Sequence, residues 1–177
     1  MDEYVAFLRG INVSGQKLIK MELLRQILRD AGFNNVKTYI QSGNILFTAE
    51  GIQTPQLILK IEKLIEKSFG FHTDVILRTI PEIRDIVSTS LFSTLKSDTG
   101  NKYYITFLKD EYIEPLTLPV FSKNKDVEII HHDGKNFTCV STLYKGNYGF
   151  PNSFIEKLTK IPATTRNPNT LEKILKL

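Results

Sequence analysis

The sequence predicts an α+β fold of two ferredoxin-like (split βαβ) halves with antiparallel sheets, arranged in tandem. Three observations predict it. Short runs rich in β-branched and aromatic residues alternate with segments of helical period in the order β-α-β-β-α-β over residues 1–92. A similar order, followed by an extra terminal helix, returns over residues 102–177. In each half a glycine turn, Ser42-Gly43 or Asp133-Gly134, joins the two central strands as hairpins require. A chain of 177 residues can form one domain or two small ones sharing an interface.

The elements follow in order. Tyr4 to Leu8 is an apolar run short enough for a buried strand, and Gly10 to Gly15 is loop chemistry. From Met21, the residues Leu24, Ile27, Leu28 and Ala31 recur at helical spacing, with Gly32 placed to end that helix. Val36 to Gln41 and Asn44 to Thr48 form the hairpin around Ser42-Gly43. Thr54 and Pro55 predict a helix cap and first position. That helix should bury Leu57, Ile58, Ile61, Leu64, Ile65 and Phe69 and expose Lys60, Glu62, Lys63, Glu66 and Lys67. Asp74 to Thr79 is the fourth strand, and Pro81 to Thr89 a short helix.

The polar stretch Ser93 to Asn101 is the expected boundary. Beyond it come strand Lys102 to Leu108, a weak helix around Leu116 to Lys123, and strands Asp126 to His131 and Asn136 to Thr142. Ser153 with Glu156 predicts a capping box. Ala163 to Thr165 reads as a short strand, and Asn167-Pro168 as the start of a last helix carrying Leu171, Ile174 and Leu175.

Composition sets broad limits. An apolar fraction of 41% and a charged fraction of 24% suit a globular chain with a real core. A net charge of +4 and a pI near 9.1 are compatible with an anionic partner, though plain solubility is the better account of them. Cys139 is the lone cysteine, so no intramolecular disulfide can form and a reducing compartment follows. Met1-Asp2-Glu3 runs straight into a strand without the features of a signal peptide, and no apolar run reaches spanning length. These features place the protein in the cytoplasm with no membrane partner.

In the predicted topology the end of the first strand and the turn between the second and third fall on one edge of the sheet. Arg9, Gly10, Asn12, Lys17, Gln41, Ser42, Gly43 and Asn44 would gather there. Cations, neutral donors and glycines suit a small anionic or amide-rich ligand. No carboxylate or histidine joins them as a general base. The competing reading is that the glycines and Asn12 serve turn geometry and Arg9 pairs with a surface carboxylate. A second candidate is Arg166 with Asn167 at the start of the last helix, where free amides favour anions. There the bland reading is ordinary Asn capping with Arg166 in solvent.

A third stretch, Tyr144 to Pro151, mixes aromatics, a lysine and glycines. It could stack bases, but a loop folding its aromatics onto the core is the preferred reading. Other chemistry is thin. His131 and His132 should point to opposite faces, His72 reads as surface, and Cys139 as buried and inert, so no metal set is expected. The glycines of residues 9–15 lack the Gly-Lys-Ser/Thr ending of a phosphate loop, and no cofactor is legible. The strand Asn44 to Thr48 offers only Phe47, which excludes the paired aromatics of an RNA-recognition module.

Three motifs carry a family resemblance: Phe7-Leu8-Arg9-Gly10-Ile11-Asn12-Val13, Tyr39-Ile40-Gln41-Ser42-Gly43-Asn44 and Thr164-Thr165-Arg166-Asn167. In this order they resemble the bacterial family known as domain of unknown function 1697. Ser14 stands where the family has a glycine, and Pro168 where an aromatic, usually tryptophan, follows. The second departure leaves a stacking role near Arg166 without its usual ring. The resemblance implies two ferredoxin-like halves and no particular activity.

The first functional expectation is therefore a binding protein for a small anionic or nucleotide-like ligand, held by Arg9, Asn12, Lys17, Gln41, Ser42, Asn44, Arg166 and Asn167. The alternatives are an enzyme using the same pocket, with Tyr39 or a cofactor moving protons, and sequence-independent nucleic-acid binding. The acidic group Asp110, Glu111 and Glu114 argues against a continuous basic stripe.

Overall fold

A computed structural model describes residues 2–89 and 100–177. It is a mixed α/β chain with antiparallel sheets, and it divides into two compact units. The first comprises Met1–Arg84 with Lys173–Leu177, the second Asp85–Glu172. Most of the connector expected at Ser93 to Asn101 lies outside the described residues.

In the first unit, β1 (Asp2–Leu8), α1 (Met21–Asp30), β2 (Asn34–Tyr39), β3 (Asn44–Ala49), α2 (Thr54–Phe69) and β4 (Val75–Thr79) follow the predicted order. The strands lie as β2-β3-β1-β4. β1 pairs antiparallel with both β3 and β4, and β2 antiparallel with β3, so β1 and β2 run the same way. Tyr4, Ala6 and Leu8 join the helices in one core, while Val5 and Phe7 on the opposite face of β1 are buried as fully. A near-continuous apolar run is the sequence form of a strand covered on both faces.

Helix α1 ends in the predicted way: the Phe33 N–H donates to the Leu28 carbonyl at 3.0 Å and the Gly32 N–H to that of Arg29 at 2.9 Å. In α2, Leu57, Ile61 and Ile65 recur every fourth residue and are fully buried, each stabilising the fold by about 1.5–3 kcal/mol. Two expectations for α2 need correction. Thr54 is its first helical residue rather than its cap, which is Gln53. Glu62 is buried at 6% exposure instead of facing water, because its Oε1 accepts the Val75 N–H at 3.0 Å at the head of β4. Lys60 reaches back to donate to the Ala31 carbonyl at 2.8 Å, its Nζ lying over the Phe33 ring. A short helix, α3 (Ile80–Ser88), follows β4.

The second unit holds β5 (Lys102–Leu108), β6 (Val120–Phe121), β7 (Val127–His132), β8 (Asn136–Ser141), the hairpin strands β9 (Leu143–Tyr144) and β10 (Asn147–Tyr148), α4 (Pro151–Thr159), β11 (Ala163–Arg166) and all but the last two residues of α5 (Pro168–Ile174). Its main sheet runs β11-β5-β8-β7-β6. Ile155 of α4 packs with Leu108, Ile129, Phe137 and Ala163 in its core. The helix expected at Leu116 to Lys123 is absent, and β6 occupies part of that stretch. Pro119 explains this: it offers no N–H to a helix interior and steers Leu118 away from helical angles. The capping box at Ser153 is also corrected. The helix begins earlier, at Pro151, and Glu156 Oε1 instead accepts the Ala163 N–H at 2.8 Å, tying α4 to β11.

Cys139 is fully buried in β8, as its alternation with Phe137 and Ser141 predicts. Burial pushes its thiol up from 9.0 to about 12, partly offset by a hydrogen bond with Thr106. A thiol whose value is higher folded than unfolded contributes stability that is complete below pH 9 and is lost as pH rises toward 12. Above pH 9 the protein should therefore lose up to about 1.4 kcal/mol per pH unit more steeply than Cys139→Ala. Urea midpoints at pH 8, 9 and 10 test this, and parallel slopes would contradict it.

Candidate functional site

The register of the first sheet brings the two predicted stretches together. Phe7 faces Asn44 across the β1–β3 ladder, and the Leu8 N–H donates to the Gly43 carbonyl at 2.8 Å. Gly43 has φ +77°, and a Cβ there would stand 2.7 Å from Leu8 Cβ and 2.8 Å from Ile11 Cδ1. Only glycine allows the β2–β3 turn to lie so close on the end of β1. Arg9 follows at the rim, its N–H donating to the Asp74 carbonyl at 3.0 Å and its own carbonyl accepting the Thr73 hydroxyl at 2.6 Å. The rim is thus closed by three backbones: the turn 40–43, the loop 10–20 and residues 71–74 before β4.

Asn12 fastens the first two. Its Nδ2 donates to the Gln41 carbonyl at 2.7 Å and the Ile19 carbonyl at 3.1 Å, and its Oδ1 accepts the Ile19 N–H at 2.8 Å. Between these anchors the loop folds on itself, Gln16 N–H to Val13 carbonyl at 3.0 Å. Gly10, Asn12, Ser14, Gly15 and Lys17 all have positive φ, the left-handed form found in anion-binding nests, while the Asn12 N–H donates within the loop to the Lys17 carbonyl at 3.2 Å. Asn44 is fully buried, its Nδ2 donating to the Tyr39 carbonyl at 2.9 Å and the Ser42 hydroxyl at 3.0 Å. Ile40 holds φ +50° while exposed, a strained state for a β-branched residue.

Arg9, Asn12, Lys17, Gln41, Ser42 and Asn44 therefore share one edge, but their tasks differ. Asn12 and Asn44 spend their amide groups on the scaffold. Lys17 Nζ donates to the His72 carbonyl at 2.9 Å and lies near the Phe71 ring. Arg9 is 37% exposed along its side chain, and its Nη1 forms an ion pair with Asp74 Oδ2 at 3.6 Å. Gln41 is exposed, and Ser42 is half-buried with its hydroxyl accepting from Asn44 Nδ2.

Arg166 and Asn167 belong to the second unit. Arg166 ends β11, and the reading that left it in solvent is corrected: it is 8% exposed, its Nη1 donating to the Thr164 hydroxyl and the Thr165 carbonyl, each at 2.8 Å. Burial pulls its guanidinium down to about 10, leaving it charged at neutral pH. Asn167 caps α5 as expected, its Oδ1 accepting the Thr170 N–H at 2.8 Å. The seven residues of α5 carry little of a helix dipole.

Sequence reasoning missed the residues that close the rim from the β4 side. Glu62, His72 and Asp74 offer ligand atoms all within 4.8 Å of one another, with His72 Nε2 at 3.7 Å from Asp74 Oδ1. Two carboxylates and an imidazole match the donor preferences of a divalent transition cation, while Arg9 meets the same Asp74 with its own charge. The signal was there, since His72 and Asp74 alternate at the approach to a strand. It was hidden because helical periodicity assigned Glu62 to water.

Comparison with known proteins adds family and fold. A model described as "Protein of unknown function (DUF1697)" matches residues 1–137. No curated protein matches. Among solved structures the chain is similar to the conserved bacterial protein SP0830 from Streptococcus pneumoniae, with a TM-score of 0.68 and 24% identity over 99% of this chain and 97% of that one. At such identity the likeness shows the fold alone.

Proposed function

This chain belongs to the DUF1697 family of unknown function, and from that premise we propose that it binds a small anionic ligand, phosphate-bearing or nucleotide-like. The ligand sits at the rim where loop 10–20 meets turn 40–43. The observation that carries the reading is the position of Arg9. A half-exposed guanidinium stands where three backbone segments converge, beside a loop rich in left-handed residues. Arg9 and Lys17 supply charge, Gln41 and Ser42 hydrogen bonds, and Asn12 and Asn44 hold the frame. We read both units as ferredoxin-like. The first has four strands in the order 2-3-1-4, and the second repeats that order with β6 added at one edge. With its single buried cysteine the chain suits a reducing compartment, and we place it in the cytoplasm.

Thermal melts followed by circular dichroism at constant ionic strength, with phosphate, pyrophosphate and a nucleotide panel, test the reading. Ligand at a hundred times its Kd stabilises by about 2.7 kcal/mol, so a clear rise in Tm is expected with at least one compound. Arg9→Ala should abolish the rise, and Asp74→Asn, which removes a competing carboxylate, should enlarge it. An unchanged melt across the panel, or an equal rise in Arg9→Ala, would overturn the proposal.

A further inference from the structure

We propose that one end of the second unit's sheet is a platform for single-stranded nucleic acid, built from Tyr144, Lys145 and Tyr148 of the β9–β10 hairpin with Phe150, Lys102 and the lysines of the β6–β7 loop beside it. The preferred expectation for this stretch, aromatics folded onto the core, does not hold. The chain instead forms a separate two-stranded hairpin, with Leu143 at 61%, Tyr144 at 39% and Phe150 at 58% exposure. Large apolar groups held in water gain little for folding, and a ring left partly exposed can take a flat partner on its open face.

Each ring is already set against a cation or another ring. Lys102 Nζ lies 4.3 Å from the Tyr148 centroid, and Lys145 Nζ 5.3 Å from that of Tyr144. Phe150 meets Tyr104 edge to face at 5.5 Å. Lys102 and Tyr104 are alternate residues of β5, so the contacts run along one side of the sheet end. Gly149 lets the hairpin's exit lie against the β6–β7 loop, since a Cβ there would stand 2.6 Å from the Asp126 carbonyl oxygen. That loop brings exposed Lys123 and Lys125 to the same end.

The acidic residues that argue against a basic stripe are at the other end. Lys102 pairs with Ser141 and Phe107 with Asn136, so the β7–β8 turn lies opposite the β9–β10 hairpin. Glu111 packs against Gly134 in that distant turn. Asp126, in the same loop as Lys123 and Lys125, accepts the Ser122 hydroxyl at 2.6 Å. Cations beside exposed rings are the elements of sequence-tolerant single-strand binding, in which bases stack and ammonium groups follow the phosphates. Here the base takes the ring face and the lysine swings from the ring to the backbone. A duplex keeps its base faces stacked and cannot use the rings.

Fluorescence anisotropy with labelled twelve-residue oligo(dT) and oligo(U), on the full chain across a salt series, is the test. Saturable binding of either oligomer is expected, with log affinity falling against log salt at a slope of about −1.4 to −2.8 for two to four phosphate contacts. Tyr144→Ala and Phe150→Ala should each weaken it about tenfold, and Lys145→Ala should make the slope shallower by about 0.7. Lys63→Ala, which removes an exposed charge from α2, should leave it unchanged. Circular dichroism checks that each variant is folded. Binding of neither oligomer, equal affinity for duplex of the same length, or unaltered binding in both aromatic variants would overturn the proposal.

Discussion

Gly43→Ala is expected to destabilise the first unit by about 2–4 kcal/mol, the sum of a left-handed backbone forced on an L residue and overpacking of a filled core. The added methyl would meet Leu8 Cβ at 2.7 Å and Ile11 Cδ1 at 2.8 Å. Leu8 is 1% exposed and fixed in the central strand, so it has nowhere to retreat. The turn could lift away only by breaking the 2.8 Å bond from the Leu8 N–H to the Gly43 carbonyl. Because the chain has no tryptophan, urea denaturation is best followed by circular dichroism. A loss below about 1 kcal/mol would mean that turn and strand are not pressed together as described.

The second large effect falls on Asn12. Asn12→Ala removes three hydrogen bonds and leaves the amide of buried Ile19 without its acceptor, at a cost of about 2–3 kcal/mol. Alanine would also have to adopt φ +54°, a region asparagine tolerates better. Asn12→Asp separates the contributions. It keeps the acceptor for Ile19 but turns a second oxygen toward the carbonyls of Ile19 and Gln41, so it should rescue little of the loss. Full rescue by aspartate would show that the bridge to Gln41 contributes nothing.

Both predictions concern a closure that was legible in the sequence, because it depends on topology. Once β1 and β2 run the same way and β3 returns, Arg9 and Ser42 must share an edge. The division of labour was not legible. Asn12 and Asn44 look like ligand donors in a sequence, and only geometry reveals that their amides serve backbone carbonyls. Glu62 reads as solvated on a helical wheel, yet it caps the start of β4, a contact thirteen residues away that periodicity does not encode. Arg166 looked exposed for the same reason, since a four-residue strand is too short to declare which face it buries. Proline chemistry could have removed the helix expected at Leu116 to Lys123, where Pro119 sits inside the proposed turns.

The central claim is that loop 10–20 and turn 40–43 form one anion-binding rim governed by Arg9. The most direct measurement is a titration of the nitrogen-15 labelled chain with pyrophosphate, following every backbone amide and the Arg9 Nε–H by NMR. Saturable shifts confined to residues 9–19, 40–43 and 71–74, and lost in Arg9→Ala, are the predicted result. Shifts scattered over surface lysines without saturation, or centred anywhere else in the chain, would contradict it.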